Sequence, residues 1–290
     1  KVCHSGVQNF SYLWKLRQSK YVQSEIGNCY TEIKEKLNQE IPVLFSGTPC
    51  QVHGLLVFLQ KKYPHLLTID IVCHGVSSPQ LFKSYLESLE NRKKSKINKI
   101  RFRDKVQIGN FASLAYTTIE FENKKKLSSQ MNTYLRSYIN GLMQRESCEA
   151  CPYSTIYRWS DITLGDFWGI ENIVPDIKEE CFKGISLLIA NTEKGNEACD
   201  NLSEKMYLQQ VDISHAVNGK NQQLITPVKS NKKKIQFHRD LKKMPVELAL
   251  IKGVGLKNYL HFFKISLKNS IKMIIPKKLY ELLIKLLKRK

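Results

Sequence analysis

The sequence predicts an α/β protein: a mixed sheet with a parallel βαβ core, an added β-hairpin and C-terminal amphipathic helices. Three observations predict it. Two short apolar runs, IPVLFSG (41–47) and LLTIDIV (66–72), each lead into a helix start with proline at its first position. Two later stretches, KIRFRDK (99–105) and SLAYTTIEFEN (113–123), alternate apolar and polar residues. The last stretch, 258–290, mixes leucines and isoleucines with lysines.

Each element follows from local chemistry. Residues 41–47 are a short apolar run ending in glycine, the pattern of a buried strand. In TPCQ, Thr48 is the N-cap, Pro49 fills the first helical position and Gln51 falls at the third, a capping box with proline at its favoured place. The helix should run from Pro49 to about Lys62, with Val52, Leu55, Leu56 and Leu59 on one face and Pro64 as its stop. Residues 66–72 form the next strand, ending at Cys73-His74-Gly75. Ser78 caps a second helix, with Pro79 at its start, reaching to about Asn91. Strand–helix–strand–helix over 41–91 reads as a right-handed βαβ unit on a parallel sheet.

Residues 99–105 and 113–123 follow as a hairpin, and 130–143 as a helix. From Gln144 to Ser160 the chain is a loop containing CEACPY. DITLGDFWG (161–169) begins as a strand and turns at its glycines. A strand is expected over 184–192 and a helix over 193–206. Residues 218–240 are polar and basic and read as partly irregular. The tail reads as two amphipathic helices split at Pro276, with Leu282, Leu283, Ile284, Leu286 and Leu287 crowding the second. No internal repeat or low-complexity linker appears. The expected organisation is one main domain over 1–215, a basic connecting region over 216–257 and a basic helical tail over 258–290.

At 42% hydrophobic and 25% charged residues, the composition can bury a core. The formal charge of +20 is far from ordinary. It calls for an anionic partner: nucleic acid, a membrane surface, or an acidic substrate or protein. Residues 251–290 carry eleven Lys/Arg and a single acid, Glu281, which is half of the excess. That tail (258–290) can lie on an anionic membrane, leucines in the acyl boundary and lysines outward. The plainer reading is a helix packed on the protein with a solvated lysine face. Nucleic acid is disfavoured, because the tail offers Leu and Ile rather than aromatic and Arg stacking platforms. No run of apolar residues is long enough to span a membrane. No signal peptide opens the chain, which starts at Lys1 rather than Met, so a fragment or processed form is expected. The expected location is the cytoplasm, with peripheral contact at the inner membrane face.

The eight cysteines are Cys3, Cys29, Cys50, Cys73, Cys148, Cys151, Cys181 and Cys199. In a chain of this size without a secretory signal, metal or redox thiolates are a better expectation than disulfides. Cys50 and Cys73 both fall just past the C-terminal ends of parallel strands, the edge where open α/β sheets bind ligands. Cys50 also sits in the first turn of its helix, where free N–H groups and the dipole favour a thiolate. Cys148 and Cys151 form a CxxC, which brings two thiolates to one metal or cluster. Together the four could complete one site. Two ligands from a sheet edge and two from a loop suit a cubane cluster better than zinc, which usually takes two CxxC knuckles. The plainer reading of Cys50 and Cys73 is small core residues. Cys3, Cys29, Cys181 and Cys199 lack partner spacing and read as structural.

Other residues invite a role. His74 follows a candidate ligand and is either a proton donor or a loop histidine bonded to backbone. Asp166 and Trp168 lie in GDFWG, either near a site or in a tight turn with a buried aromatic. Arg101, Arg103, Asp104, Lys105 and Arg158 could form a charged cluster, receive an acidic substrate, or lie on a solvated hairpin face.

Several segments resemble the coenzyme F420 hydrogenase/dehydrogenase beta-subunit family of iron–sulfur flavoproteins. They are SKYVQS (19–24), VLFSGTPCQV (43–52), LLTIDIVCHGVSSP (66–79), IRFRDK (100–105), CEACPY (148–153), RWSDITLGDFWGI (158–170) and KGISLLIANTEKG (183–195), in order over about 15–195. The resemblance implies an oxidoreductase with FAD beside a [4Fe-4S] cluster, carrying single electrons at the cluster and pairs at the flavin. By motif, Cys50, Cys73, Cys148 and Cys151 would ligate the cluster. The flavin would lie near Ser19, Lys20 and Tyr21 and near Ser46, Gly47 and Thr48, with Lys20 supplying positive charge and the loop supplying donors. His74 would be the catalytic proton donor. His53, after Gln51-Val52, is a local difference.

The family's upstream Ser-Ser-Gly-Gly flavin segment and its CxxCxxC-rich ferredoxin domain are not in this sequence. The expectation is therefore an N-terminally truncated bacterial member, fed by a ferredoxin-like electron donor or by an N-terminal ferredoxin domain. Its acceptor is not named by the sequence; some family members belong to surface-polysaccharide metabolism. The rival readings are a zinc-stabilised, non-catalytic binding protein and a member that scaffolds glycan enzymes.

Overall fold

The computed structural model describes residues 2–16, 18–108, 111–129, 132–174, 184–217, 221–256 and 258–260, with backbone alone for 105–108 and 111–115. In chain order the elements are α1 (Cys29–Asn38), β1 (Val43–Ser46), α2 (Pro49–Leu59), β2 (Leu66–Ile71), α3 (Pro79–Lys93), β3 (Ile97–Ile108), β4 (Phe111–Phe121), β5 (Lys126–Ser129), α4 (Thr133–Ile139), α5 (Glu146–Glu149), β6 (Ile162–Asp166), β7 (Ser186–Ala190), α6 (Glu193–Ser203), α7 (Ile213–Val217), α8 (Lys234–Lys243) and α9 (Val246–Val254). They gather into two compact units. Unit 1 comprises Lys1–Val7, Ser24–Gly75 and Arg145–Lys229; unit 2 comprises Gln8–Gln23, Val76–Gln144 and Ser230–Lys290.

Unit 1 is built on a four-stranded sheet of order β1-β2-β6-β7. The first three strands are parallel, with Val43 opposite Leu66 and Ile69 opposite Ile162, and β7 runs antiparallel to β6. This is the predicted βαβ core. One apolar cluster joins α1, α2 and the strands through Ile33, Leu37, Phe45, Val52, Leu55, Leu59, Tyr63 and Leu66. A second gathers Val72, Phe167, Ile170, Leu187, Ala216 and Leu224. α2 stops at Leu59, short of the expected Lys62, because Gln60 takes a left-handed conformation (φ 59°) and its N–H returns to the Leu56 carbonyl. That is a C-terminal cap made by a non-glycine residue, a conformation L-residues adopt at some cost. Gly165 on β6 is dictated by packing: a Cβ there would stand 2.7 Å from Val72 Cγ2.

Unit 2 holds the antiparallel sheet β3-β4-β5, with Ile100 opposite Ile119 and Thr118 opposite Ser128. The hairpin was expected; β5 was not, being four residues of KLSS that pair only because the chain turns tightly back at Lys124 (φ 63°). The β3–β4 register slips between Arg101 and Asp104, where Arg103 has φ 53°. Its core is aromatic. Tyr134 lies 5.1 Å from Phe82 and 5.2 Å from Tyr85, ring to ring, and Tyr21 lies 4.6 Å from Tyr138. Offset and tilted rings at such spacing add to plain area burial. The Ser77 and Tyr134 hydroxyls bond each other, and both lie within hydrogen-bond distance of the Tyr21 carbonyl.

The stretch read as partly irregular carries more order than expected, since α8 starts at Lys234 and buries Phe237. α9 follows, with Ala249, Leu250 and Val254 buried. The two amphipathic helices predicted over 258–290 lie, apart from residues 258–260, outside the described residues. Among the described residues, no helix is long and apolar enough to cross a membrane.

The units differ sharply in charge. The stretches of unit 1 contain 13 basic and 18 acidic residues; those of unit 2 contain 33 and 8. The whole excess of the chain therefore belongs to unit 2.

Candidate metal centre at the strand ends of unit 1

β1 ends at Ser46, and Gly47 and Thr48 turn the chain into α2. The Gly47 N–H still donates to the Ile69 carbonyl at 3.1 Å, so the turn is tied to β2. Thr48 and Gln51 form the predicted capping box. Gln51 Oε1 accepts from the Thr48 N–H at 3.1 Å and from the Thr48 hydroxyl at 3.0 Å. That hydroxyl lies 3.2 Å from Cys50 Sγ. The other end of the Gln51 amide donates to Ser24 Oγ at 3.1 Å, and Ser24 Oγ is 3.0 Å from His4 Nδ1. The His4 ring stacks on Phe45, and burial lowers its pKa. Tyr30 donates to the Gln51 carbonyl at 2.6 Å. Cys50 is thus held, exposed, in a helix turn anchored on three sides.

Cys73 lies two residues past β2. Cys148 sits in the single turn α5, where its N–H donates to the Arg145 carbonyl at 3.0 Å, and Cys151 follows. All four are free thiols. They share a neighbourhood. Burial pushes the Cys73 thiol up to about 12; a backbone hydrogen bond from Gly75 opposes this, and the thiols of Cys50, Cys148 and Cys151 reinforce it. Tyr153 is raised by burial and then by Cys50 and Cys151, and Tyr30 is raised to about 12 by burial and then by Cys50 and Cys29. Four thiolates cannot coexist there without a compensating cation. The donor set therefore fits iron–sulfur or zinc chemistry in kind. Among the described residues, no three His, Cys, Asp or Glu side chains stand close enough to hold a metal, so the thiols are gathered without being closed into a ligand shell.

Two features beside the thiols went unpredicted. His53, one turn after Cys50, places Nδ1 2.8 Å from the Tyr153 hydroxyl and its ring 4.6 Å from the Trp159 ring. The second is buried charge. Arg158 was expected in a charged surface cluster or on a solvated hairpin; instead its side chain is 2% exposed, 3.6 Å from Asp70, itself 1% exposed. Among the described residues, Arg158 Nε, Nη1 and Nη2 and Asp70 Oδ1 find no hydrogen-bond partner. Burial raises the Asp70 pKa; hydrogen bonds from Thr163 and Ser160 and the Arg158 charge oppose it. Next to this pair, Asp161 accepts from both the N–H and the hydroxyl of Thr68 at 2.8 Å and from the Thr192 hydroxyl at 2.8 Å. Asn191 donates to Thr163 Oγ1 at 3.0 Å. This polar layer fixes 158–161, the continuation of CEACPY, on strand β2, which leads to Cys73. Nothing local in the sequence pairs Asp70 with Arg158.

The remaining expected residues fall as follows. Ser46, Gly47 and Thr48 adjoin Cys50, and His74 is exposed directly after Cys73. Ser19, Lys20 and Tyr21 belong to unit 2, where partial burial lowers the Lys20 pKa and Lys20 Nζ donates to the Gln18 carbonyl at 3.3 Å. In GDFWG the buried aromatic is Phe167, while Trp168 is 41% exposed. Arg101 is committed within the hairpin, at 2.7 Å from Glu120 and 3.2 Å from Asp104. Cys3 pairs in an isolated bridge with Glu25, Cys29 opens α1, Cys199 lies in α6, and Cys181 is outside the described residues.

The fold is thus that of an α/β protein with Cys50 and Cys73 just past the C-terminal ends of two parallel strands. Sequence comparison gives the family. The family model for the C terminus of the coenzyme F420 hydrogenase/dehydrogenase beta subunit matches residues 42–216, more than half of the chain and the span holding all four cysteines. The chain belongs to that family, one of oxidoreductase subunits. Among solved structures, a chain of the F420-reducing [NiFe] hydrogenase complex from Methanosarcina barkeri, in a xenon derivative, is similar at a TM-score of 0.45 and 13% identity, over 84% of this chain and 79% of that one. Comparison with curated proteins found no match.

Proposed function

We propose that the protein is an iron–sulfur flavoprotein oxidoreductase, with Cys50, Cys73, Cys148 and Cys151 holding a [4Fe-4S] cluster and FAD beside it. The reading is supported by Cys50 and Cys73 just past the C-terminal ends of β1 and β2, and by a Cys73 thiol raised first by burial and then by Cys50, Cys148 and Cys151. When bound, the cluster would accept and release single electrons and the flavin pairs.

The chain's own residues have separable tasks. The Thr48–Gln51 box fixes the first turn of α2 and presents Cys50 at the positive end of that helix's dipole. Gly47 keeps the backbone close to β2, Ser46 would offer its hydroxyl to a flavin edge or phosphate, and Thr48, whose N–H and hydroxyl donate to Gln51 Oε1, would offer only a hydroxyl lone pair. Lys20 would supply positive charge to the flavin. His74, exposed beside Cys73, would carry a proton to or from the reduced flavin. Tyr153, near Cys50 and Cys151, is held by His53, whose ring also packs on Trp159. Electrons would come from a ferredoxin-like donor or an N-terminal ferredoxin domain, and the acceptor would belong to surface-polysaccharide metabolism. The tail over 258–290 would rest on an anionic membrane.

Anaerobic purification of the full gene product tests this. The expected sample is brown, absorbs broadly near ~400 nm, and contains iron, acid-labile sulfide and flavin. A colourless sample with stoichiometric zinc would replace the redox reading by a zinc-stabilised binding protein. Iron and sulfide without flavin would favour a scaffold.

A further inference from the structure

Unit 2 carries a feature that the redox reading does not use. Residues Phe10–Lys15 form a short 3-10 helix, FSYLWK, that buries none of its side chains. Phe10 is 89% exposed and Trp14 54%, and Tyr12, Leu13 and Leu16 are exposed as well. The segment is nonetheless built. Asn9 Oδ1 accepts from the Ser11 N–H and hydroxyl at 2.9 Å, and the Leu16 N–H donates to the Leu13 carbonyl at 3.0 Å. Downstream, Tyr21 locks into the aromatic core, its ring 5.5 Å from Phe102 and 4.6 Å from Tyr138. An ordered run of five exposed apolar side chains marks a contact surface rather than chance exposure.

Its electrostatics select the partner. Lys15 Nζ lies 4.7 Å from the Tyr12 ring centroid, and Lys99 Nζ, on β3, lies 4.9 Å from the Trp14 ring. Ammonium groups therefore accompany the rings. Residues 8–23 and 76–144 alone hold 16 basic and 5 acidic residues, without any help from the C-terminal tail. Apolar rings flanked by lysines on a strongly basic unit fit the boundary between anionic headgroups and acyl chains. Nucleic acid would reward the rings but not Leu13 and Leu16, nor the exposed Leu248, Leu256 and Leu260 of the same unit.

We propose that Phe10–Leu16, with Lys15 and Lys99, is a docking surface for an anionic lipid membrane. It depends neither on the cluster nor on the tail. The test is co-sedimentation of the full chain with phosphatidylcholine vesicles, with and without phosphatidylglycerol, while tryptophan emission is followed. The wild type should pellet with the anionic vesicles, less so at high salt, and its emission should shift to the blue. Leu13→Ser/Trp14→Ser should weaken this binding at least roughly tenfold, from the apolar burial lost. Lys15→Gln/Lys99→Gln should weaken it by a smaller factor and reduce its salt dependence. All four positions are exposed or on a surface strand, and an unchanged circular dichroism melt confirms folding. The proposal is overturned if the Ser pair binds like the wild type, if neutral vesicles bind equally well, or if a single-stranded oligonucleotide or an acidic protein competes the chain off at equal or lower concentration.

Discussion

Unit 1 and unit 2 are of similar construction in outline, each a small sheet with helices, yet they place charge in opposite ways. Unit 1 is mildly acidic and buries charge: Asp70 and Arg158 face each other inside it, next to a layer of Thr68, Ser160, Asp161 and Thr163. Unit 2 is strongly basic and leaves at least one partner of its ion pairs partly open to solvent around an aromatic core, as with Arg101–Glu120 and Lys252–Asp240. Buried charge is costly and survives where geometry must be held; in unit 1 it lies beneath the segment that follows Cys148 and Cys151. Surface charge is cheap and available to partners, and unit 2 has it in excess.

The sharpest way to break that contrast is mutation of the two ion pairs. Arg158→Met strands a buried carboxylate and should cost roughly 3–5 kcal/mol, read from urea denaturation. Adding Asp70→Asn should restore most of the loss. Arg101→Met in unit 2 should cost no more than about 1 kcal/mol. Equal costs would remove the distinction.

Packing gives the next effect. Phe167→Ala should destabilise by roughly 3–5 kcal/mol, whereas Trp168→Ala next to it should change stability by less than about 1 kcal/mol. A smaller loss follows at the helix start, where Thr48→Ala should cost about 1 kcal/mol and loosen the turn that presents Cys50, seen as faster amide exchange at Gln51 and Val52.

The pH response should separate the units most gently. Hydrogen bonding to Arg101 holds Glu120 below the usual carboxylate range, and Lys252 does the same for Asp240. Their contribution is present above the ordinary carboxylate pKa and is lost as pH falls through the depressed values. Burial raises Asp70, so its penalty is absent below the ordinary pKa and grows as pH rises through the raised one. Acidification should therefore first slow amide exchange in β2 and β6, as pH falls through the raised Asp70 value, and speed it in β3–β4 and α8 only below the ordinary carboxylate range. Parallel loss in both units would contradict this.

Much of this was legible in the sequence because it is local. The Thr48-Pro49-x-Gln51 start, the strand at 66–71 and the alternating hairpin follow from neighbours a few residues apart. So does the placement of Cys50 and Cys73 at strand ends. What was missed is non-local or sparse. β5 is polar and four residues long. α1 and α8 show few buried positions, Ile33 and Leu37 in one and Phe237 as the large apolar residue of the other. Arg158 looks like any surface arginine until β2 and β6 pair and enclose it with Asp70. The Gln51–Ser24–His4 chain likewise needs three distant segments to meet. The exposed aromatic turn at Phe10–Lys15 is apolar enough to pass for core in the sequence; only the structure shows it uncovered.

Electron paramagnetic resonance of the dithionite-reduced full gene product, across single Cys→Ser variants, decides whether Cys50, Cys73, Cys148 and Cys151 hold one cluster. The cluster signal and its iron should be lost or altered in Cys50→Ser, Cys73→Ser, Cys148→Ser and Cys151→Ser, and kept in Cys29→Ser and Cys199→Ser. An unchanged signal in any of the first four, or no iron signal in the wild type, would contradict a shared cluster.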